Sequence, residues 1–431
     1  MKYKQNRSKD QRLQQINDVT LIIGADMAKS VHVARAIDNQ GLELGIRCKY
    51  TNNREGFLTF LNWVRQIQVK HKKSKVIVGI EPTGHYWFPF ERFLQEEGIQ
   101  LVLVNPSHVK KTKELDDNSP TKNDTKDAKV IAELVKNGKY NYHIYLEQEY
   151  ANLRILMNHR GRTIKSLVRV KNQIYQWLGR FFPEYWEVFK DWEGKASLII
   201  LNTFPFPHEI VEAGPLGILT QWRKTIHRGI GIKKATQLVE IASESIGIYE
   251  GIEAARMELK LLLEQYEFLN NQNDRILTEV DQVIDRIPYA TFLLTLPGVS
   301  KTSIAGFLAE TGDLNKYSDG QQIVRLAGFH LKENSSGQHK GKTQITKRGR
   351  CQLRALLYRS VLTLVRNNPE FRVLHQYYTT RSQNPLKKKQ SIIALCGKLV
   401  RVLHTLGTRN IVYQPEAVLG PGIRNMLRKA S

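Results

Sequence analysis

Cysteine is scarce in this sequence: 3 in 431 residues, at Cys48, Cys351 and Cys396. Three scattered thiols exclude a disulfide framework, and without a CxxC pair they exclude a thiolate zinc site as well. The 12 histidines follow no metal-ligand spacing, so any metal ion here must be held by carboxylates. Acidic residues are themselves outnumbered, 41 Asp and Glu against 65 Lys and Arg, for a formal net charge of +24. An excess of that size favours a polyanionic partner, nucleic acid being the commonest and an anionic membrane surface the plainer alternative. No apolar run approaches the ~20 residues of a membrane-spanning helix. The opening MKYKQNRSKDQRLQQIND lacks the apolar stretch of a signal peptide. A cytoplasmic protein with no membrane partner is expected. Hydrophobic residues at 41% fit a folded chain, long enough for two or three domains with cores of their own.

Three strand-like runs open the ordered part, VTLIIGAD, SVHVARAID and GLELGIRCKY, and their spacing reads as consecutive hairpins. Phe57, Leu58, Leu61, Val64 and Ile67 then recur at helical spacing. KVIVGIE (75–81) is a continuous apolar run of the kind buried in a parallel sheet. A helix near 86–97, a strand at QLVLVN (100–105), a polar loop and a helix over 124–138 complete an α/β domain with a mixed sheet, 19–145. The middle, 146–288, is helical. Positions 255, 259, 262, 266, 269, 273, 276, 280, 283 and 287 form a sustained heptad with Asn273 as its one polar occupant, and 151–178 carries a looser version. An intramolecular helical hairpin and an intermolecular coiled coil both satisfy that pattern. FPFP and AGPLG are expected to break helices between the two segments. From 289 to 415 the chain reads as a compact all-α domain. FLLTLPGVSKTSIAGFLAETGDL has the pattern helix, tight hairpin, helix, and a loop projects over 331–346. In such units the hairpin N–H groups face a nucleic-acid phosphate.

Asp26 ends the first strand and Glu81 the buried one, while Asp124 and Asp127 sit three apart at a helix start. Ends of adjacent parallel strands meet at one sheet edge, and a helix packed there adds its own carboxylates. Taken singly, each has an ordinary reading: a turn residue, or an acid favoured by the dipole of a helix N-terminus. Together they repel one another unless divalent cations neutralise them; Mg²⁺, with Mn²⁺ as an alternative, prefers oxygen ligands. The order β-hairpin Asp, strand Glu, helix DxxD is the layout of an RNase H-like nuclease core. A second unusual stretch, ENSSGQHKGKTQITKRGR (333–350), joins Ser335, Ser336 and Gly337 to Lys340, Lys342, Lys347, Arg348 and Arg350, with Arg354 just beyond. By itself it fits either a solvated, basic DNA-binding loop with inert serines or a nucleophilic hydroxyl among phosphate-binding groups.

GADMAKSVHVA, GIEPTGHYW and KNDTKDAKVIAEL resemble the RuvC-like domain of the DEDD-type insertion-sequence transposases, a family that takes in the Piv DNA invertase and the bridge-RNA-guided recombinases. LPGVSKTSIAGFLAETGD, RLAGFHLKENSSG and ITKRGRCQLRALLY resemble the C-terminal domain of the same family. The resemblance covers roughly 20–138 and 290–405, in family order. It implies that Asp26, Glu81, Asp124 and Asp127 are Mg²⁺ ligands, and that Ser336, directly before a glycine, is the nucleophile rather than Ser335. It further implies donor and target DNA as substrates, an element-encoded guide (bridge) RNA, and dimers pairing as tetramers. In such an assembly the acidic residues of one subunit and the serine of another form a composite site. Thr346 stands where the family commonly has serine, and a hydroxyl there is expected to cap a helix. Two other functions remain open: an RNase H-like two-metal nuclease or transposase using water or a 3′-hydroxyl, and a non-catalytic nucleic-acid-binding protein that kept the fold.

Overall fold

The computed structural model describes residues 11–116, 124–143, 146, 148–227, 229, 231–332, 335–336, 339–340 and 343–420. Contacts divide the chain into two units, 1–145 and 146–431. The middle helices and the C-terminal helices therefore share the second unit.

In the first unit the apolar runs become β1 (Thr20–Asp26), β2 (Val31–Ile37), β3 (Cys48–Thr51), β4 (Lys75–Ile80), β5 (Gln100–Val104) and β6 (Tyr140–Tyr142). They form one sheet in the order β3-β2-β1-β4-β5-β6. β1, β4 and β5 are parallel, and the other neighbours pair antiparallel. The helices are α1 (Arg54–Lys70), α2 (Phe88–Glu96), α3 (Pro106–Asp116) and α4 (Asp124–Lys136). Helix α3 occupies what the sequence suggests is the start of a polar loop. Its Asn105 accepts a hydrogen bond from the Ser107 N–H, the cap that starts a helix at a proline. Alternation along β1 sorts its side chains. Leu21, Ile23 and Ala25 face a core with Phe57, Phe60 and Phe90 from α1 and α2. Ile22 faces the opposite core, built on Val130, Ile131, Leu134 and Val135 of α4. The period of two therefore assigns Gly24 and Asp26 to the α4 side of the sheet.

The second unit starts with two 34-residue helices, α5 (Gln148–Phe181) and, after four shorter ones, α10 (Ile252–Asp285). At 1.5 Å per residue each is about 50 Å long. Trp177 Nε1 donates to the Ala255 carbonyl at 2.8 Å and Thr163 Oγ1 to Gln272 Oε1 at 3.2 Å, so the two helices run antiparallel. Ala255, Leu259, Leu262, Ile276, Val280, Val283 and Ile287 of the heptad are buried within this chain. The seam thus has an intramolecular partner and requires no second copy. Asn273 lies on it half-buried, with an unpartnered Oδ1.

Between the long helices, α6 (Tyr185–Val188), α7 (Lys195–Thr203), α8 (Pro207–Arg223) and α9 (Ile232–Ser243) pack around buried Trp177, Trp192 and Trp222. FPFP separates α7 from α8, as expected. AGPLG interrupts the helix as expected: Gly214 is non-helical, with φ 61° and ψ 174°, so α8 consists of two helical segments joined at a kink before Pro215. After α10 come α11 (Ala290–Leu294), α12 (Lys301–Thr311), α13 (Gly320–Leu326), α14 (Cys351–Asn367), α15 (Pro369–Thr380) and α16 (Lys388–Arg409). Contrary to expectation, α16 is long and apolar enough to cross a membrane by length and composition. Its apolar face, Leu395, Leu399, Leu403 and Leu406, is buried in the C-terminal helices, so it serves as a core helix.

Candidate active site

Gly24 on β1 and Gly79 on β4 are register partners, and two residues beyond each stands an acid. The register that pairs Ala25 with Ile80 brings Asp26 and Glu81 to neighbouring positions at the C-terminal ends of two parallel strands. The glycines explain how a helix reaches them. A Cβ on Gly24 would lie 2.0 Å from the Ala128 carbonyl oxygen and 2.4 Å from the Ala132 nitrogen; one on Gly79 would lie 2.4 Å from Val135 Cγ2. Helix α4 rests directly on this bare strip of sheet. Asp127, the residue before Ala128, is held at the same end as Asp26.

Glu81 is half-buried and accepts a hydrogen bond from the Thr83 hydroxyl at 3.0 Å. Asp127, also half-buried, forms an ion pair with Lys113 of α3, a residue that the sequence does not single out. Asp124 begins α4, and its side chain lies outside the described residues. Among the described residues no three His, Cys, Asp or Glu side chains gather as a metal-binding group. The donor chemistry nonetheless fits a hard divalent cation. The acids supply oxygen alone, and the ammonium of Lys113 sits where Asp127 already attracts positive charge. Behind the site, the Ala28 N–H donates to His32 Nδ1 at 3.1 Å. Burial holds the His32 pKa below its usual value, against the raising effect of Asn52, so this imidazole stays neutral.

Ser336 belongs to a nested hairpin in the second unit. β7 (Leu331–Lys332) pairs with β10 (Gln344–Ile345), and between them β8 (Ser335–Ser336) pairs with β9 (His339–Lys340). Ser336 is the register partner of His339, a juxtaposition absent from a linear reading. The side chains of Ser336 and Lys340 lie outside the described residues, as does all of Lys342. At the hairpin's foot the two arms cross closely: a Cβ on Gly349 would meet the Leu326 carbonyl oxygen at 2.3 Å. The Lys347 N–H donates to the Gly328 carbonyl and the Arg350 N–H to the Leu326 carbonyl, at 3.1 and 2.8 Å. Thr346 caps no helix; its hydroxyl reaches the Gly328 carbonyl at 3.4 Å, and Arg350 is the cap residue of α14.

The cations at this foot divide in two. Lys347 and Arg348 are exposed. Arg350 and Arg354 brace the fold: Arg350 donates to the Glu310 carbonyl and lies 3.8 Å from its carboxylate, and Arg354 donates to the Ala327 carbonyl at 2.8 Å. Arg154 of α5 donates to the Glu310 carbonyl as well, at 3.1 Å. Burial and the neighbouring Arg350 lower the Arg154 pKa to about 10. One helix end, the carbonyls of Ala309 and Glu310, thus takes up two guanidiniums, as expected for cations at a helix C-terminus. The clamp ties the hairpin's foot to the long α5.

Similarities to known proteins fall on both units, the first of them running past residue 145 into α5. Residues 23–183 match a transposase family of the DEDD, IS110 type, and 290–376 match the transposase family of IS116, IS110 and IS902. The chain therefore carries IS110/IS116-family transposase domains. An insertion element IS116 protein of Streptomyces clavuligerus is 25% identical over 388 residues, covering 88% of this chain and 93% of that one. A transposase for the insertion sequence element IS1111A of Coxiella burnetii is 22% identical over 402 residues, 91% of both chains. A pilin gene-inverting protein of Moraxella lacunata is 21% identical over 394 residues, 90% of this chain and 96% of the relative.

Proposed function

We propose that this protein is the transposase of an insertion sequence, and that it cuts and rejoins DNA through Ser336. The observation that carries this reading is the placing of Asp26 and Glu81 at the ends of the paired strands β1 and β4, beside the helix of Asp124 and Asp127, in a chain that also presents a serine in a cation-flanked hairpin. The Ser336 oxygen attacks a DNA phosphorus, the bond from phosphorus to the leaving sugar oxygen breaks, and the serine proton passes to that oxygen or to solvent. A phosphoserine diester results. Attack by the hydroxyl of a second strand reverses the step and restores the serine, so joining needs no external energy source. Asp26, Glu81, Asp124 and Asp127 would hold Mg²⁺, or Mn²⁺, which when bound supplies positive charge to the reacting phosphate oxygens. Lys347 and Arg348 neutralise the backbone beside the serine. Carboxylates and serine belong to different units, and they meet on assembly of a dimer or tetramer. Val168, Tyr175, Leu261 and Phe268, exposed on the long helices, support that association. The net charge of +24 supports an element-encoded guide RNA beside the DNA.

The test combines the protein, RNA transcribed from the flank of its element, and paired DNA sites in Mg²⁺, with junctions read by sequencing. Recombinant junctions that vanish with chelator, Asp26→Asn or Ser336→Ala support the reading. Junctions that persist with Ser336→Ala favour a two-metal mechanism using water or a 3′-hydroxyl, and binding with no cleavage at all favours a non-catalytic protein.

A further inference from the structure

At the foot of the hairpin lies a cavity of about 460 Å³ whose walls include Phe329, Ile345, Ile393, Tyr358, Arg354 and Arg359. Its size falls within the range that small ligands fill. Two features of its wall point to an anion attached to a flat ring. The first is charge. Among the described residues, none that lines the cavity is acidic. Among the described residues, Arg354 donates to neutral carbonyls alone, those of Ala327 and Lys347. Arg160 of α5 stands close to Arg359, and burial, then that neighbouring charge, lower its pKa. Arg160 Nε is buried with no hydrogen-bond partner among the described residues. Among the described residues none of the three guanidiniums has a carboxylate partner. Such a cluster repels itself until an anion neutralises it, and the planar donors of arginine match phosphate oxygens. The second feature is the aromatic and aliphatic remainder of the wall, with Tyr358 one residue from Arg359 on α14.

We propose that this cavity seats one nucleotide of single-stranded DNA, its phosphate on Arg359 and its base against Tyr358. The proposal rests on the transposase reading, which makes DNA the substrate and requires that a cut strand be held while it changes partners. Ile345 of β10 and Phe329 border the cavity, so a nucleotide seated there is anchored at the foot of the segment that carries Ser336. Stacking on an aromatic ring beside a cation is tolerant of sequence, as a strand-holding site requires.

The full-length protein is titrated with a fluorescein-labelled single-stranded DNA of mixed sequence over a range of salt, then photocrosslinked to the same strand substituted with 5-iododeoxyuridine. Tyr358→Ala is expected to weaken binding by roughly fivefold or more, as loss of one stacked base does, and Tyr358→Phe to retain it. Arg359→Ala should flatten the slope of log affinity against log salt by about 0.7, one phosphate's share on a single strand. The crosslink should map to the peptide of Tyr358. Circular dichroism matching the parent chain confirms that the variants fold. Unchanged affinity and slope with a crosslink elsewhere overturn the proposal. So does a loss confined to RNA binding. If Ser336→Ala abolishes recombination while the cavity variants bind DNA normally, the cavity assignment falls and the function stands. If the cavity variants lose DNA while Ser336→Ala still recombines, the serine mechanism falls and the cavity stands.

Discussion

Adding one methyl group at Gly24 is the sharpest perturbation that the first unit allows. Its Cβ would stand 2.0 Å from the Ala128 carbonyl oxygen, more than 1 Å inside ordinary contact, and 2.4 Å from the Ala132 nitrogen. Both obstacles are backbone, so no rotamer relieves them and α4 must lift off the sheet. Overpacking of this kind costs about 1–3 kcal/mol, which lowers the thermal transition of a domain this size by roughly 4 °C or more. The functional loss is larger. Asp127 moves with α4 while Asp26 and Glu81 stay with the strands, and a misplacement of about 1 Å at a reacting centre can cost ~10²-fold in rate. Gly79→Ala provides the contrast, because it meets the methyl ends of Val135 and Ile131, at 2.4 and 3.3 Å, which can turn aside. Its cost belongs at the low end, about 1 kcal/mol. The assays are differential scanning calorimetry and Mg²⁺-dependent DNA cleavage by each variant. Gly24→Ala that matches the parent in both, or proves milder than Gly79→Ala, refutes the placement of α4 over the acidic strand ends.

Three further outcomes follow from other parts of the molecule. Because the folded state holds His32 neutral and lowers its pKa, the unfolded chain binds the proton more readily. Stability contributed by the neutral ring is complete above about pH 6.5 and is lost as pH falls from there through the lowered folded value; His32→Gln should flatten the acid limb of a pH–urea stability map. Lys347→Ala with Arg348→Ala should lower the salt slope of duplex DNA binding by about 0.9 for each phosphate released, whereas Arg350→Ala should lower the melting temperature, since Arg350 braces Glu310; an Arg350 variant with parental melting would contradict that division. Pro at Leu269 should disrupt α10 by about 3 kcal/mol or more and, since its seam packs on α5, should appear as loss of helix signal in the monomer as well as loss of assembly.

What could be read along the chain was whatever local pattern determines. Strands β1 to β5, the long helices and the acids at the strand ends follow from apolar periodicity and from position within a run, whereas β6, three residues with only Tyr140 buried, carries no such pattern and was not expected. The two segments IIGAD and IVGIE even share a glycine two residues before the acid, a signal of close helix approach whose meaning depends on knowing that β1 and β4 are neighbours. Helix α3 was hidden because PSHVKKTKELD offers only Val109 and Leu115 as large apolar residues and its Asn105 cap precedes a proline. Heptad spacing leaves the partner open; the burial of the seam by α5 is a tertiary fact. Lys113 on Asp127, His339 opposite Ser336, and the shared use of Glu310 by Arg154 and Arg350 join residues through folding geometry, so no linear spacing announces them. Charge counting likewise overstates the free cations at the hairpin foot, because Arg350 and Arg354 are engaged by carbonyls.

The central claim is that Ser336 forms the covalent bond to DNA. Reaction of the protein with guide RNA and labelled paired sites in Mg²⁺, quenched in detergent, should yield a protein–DNA adduct on a denaturing gel. Digestion and mass spectrometry should place the nucleotide on Ser336. Ser335→Ala should retain the adduct, and Ser336→Ala and Asp26→Asn should abolish it. Free nicked DNA accumulating in the Ser336→Ala reaction, with no adduct in the parent, would contradict the account.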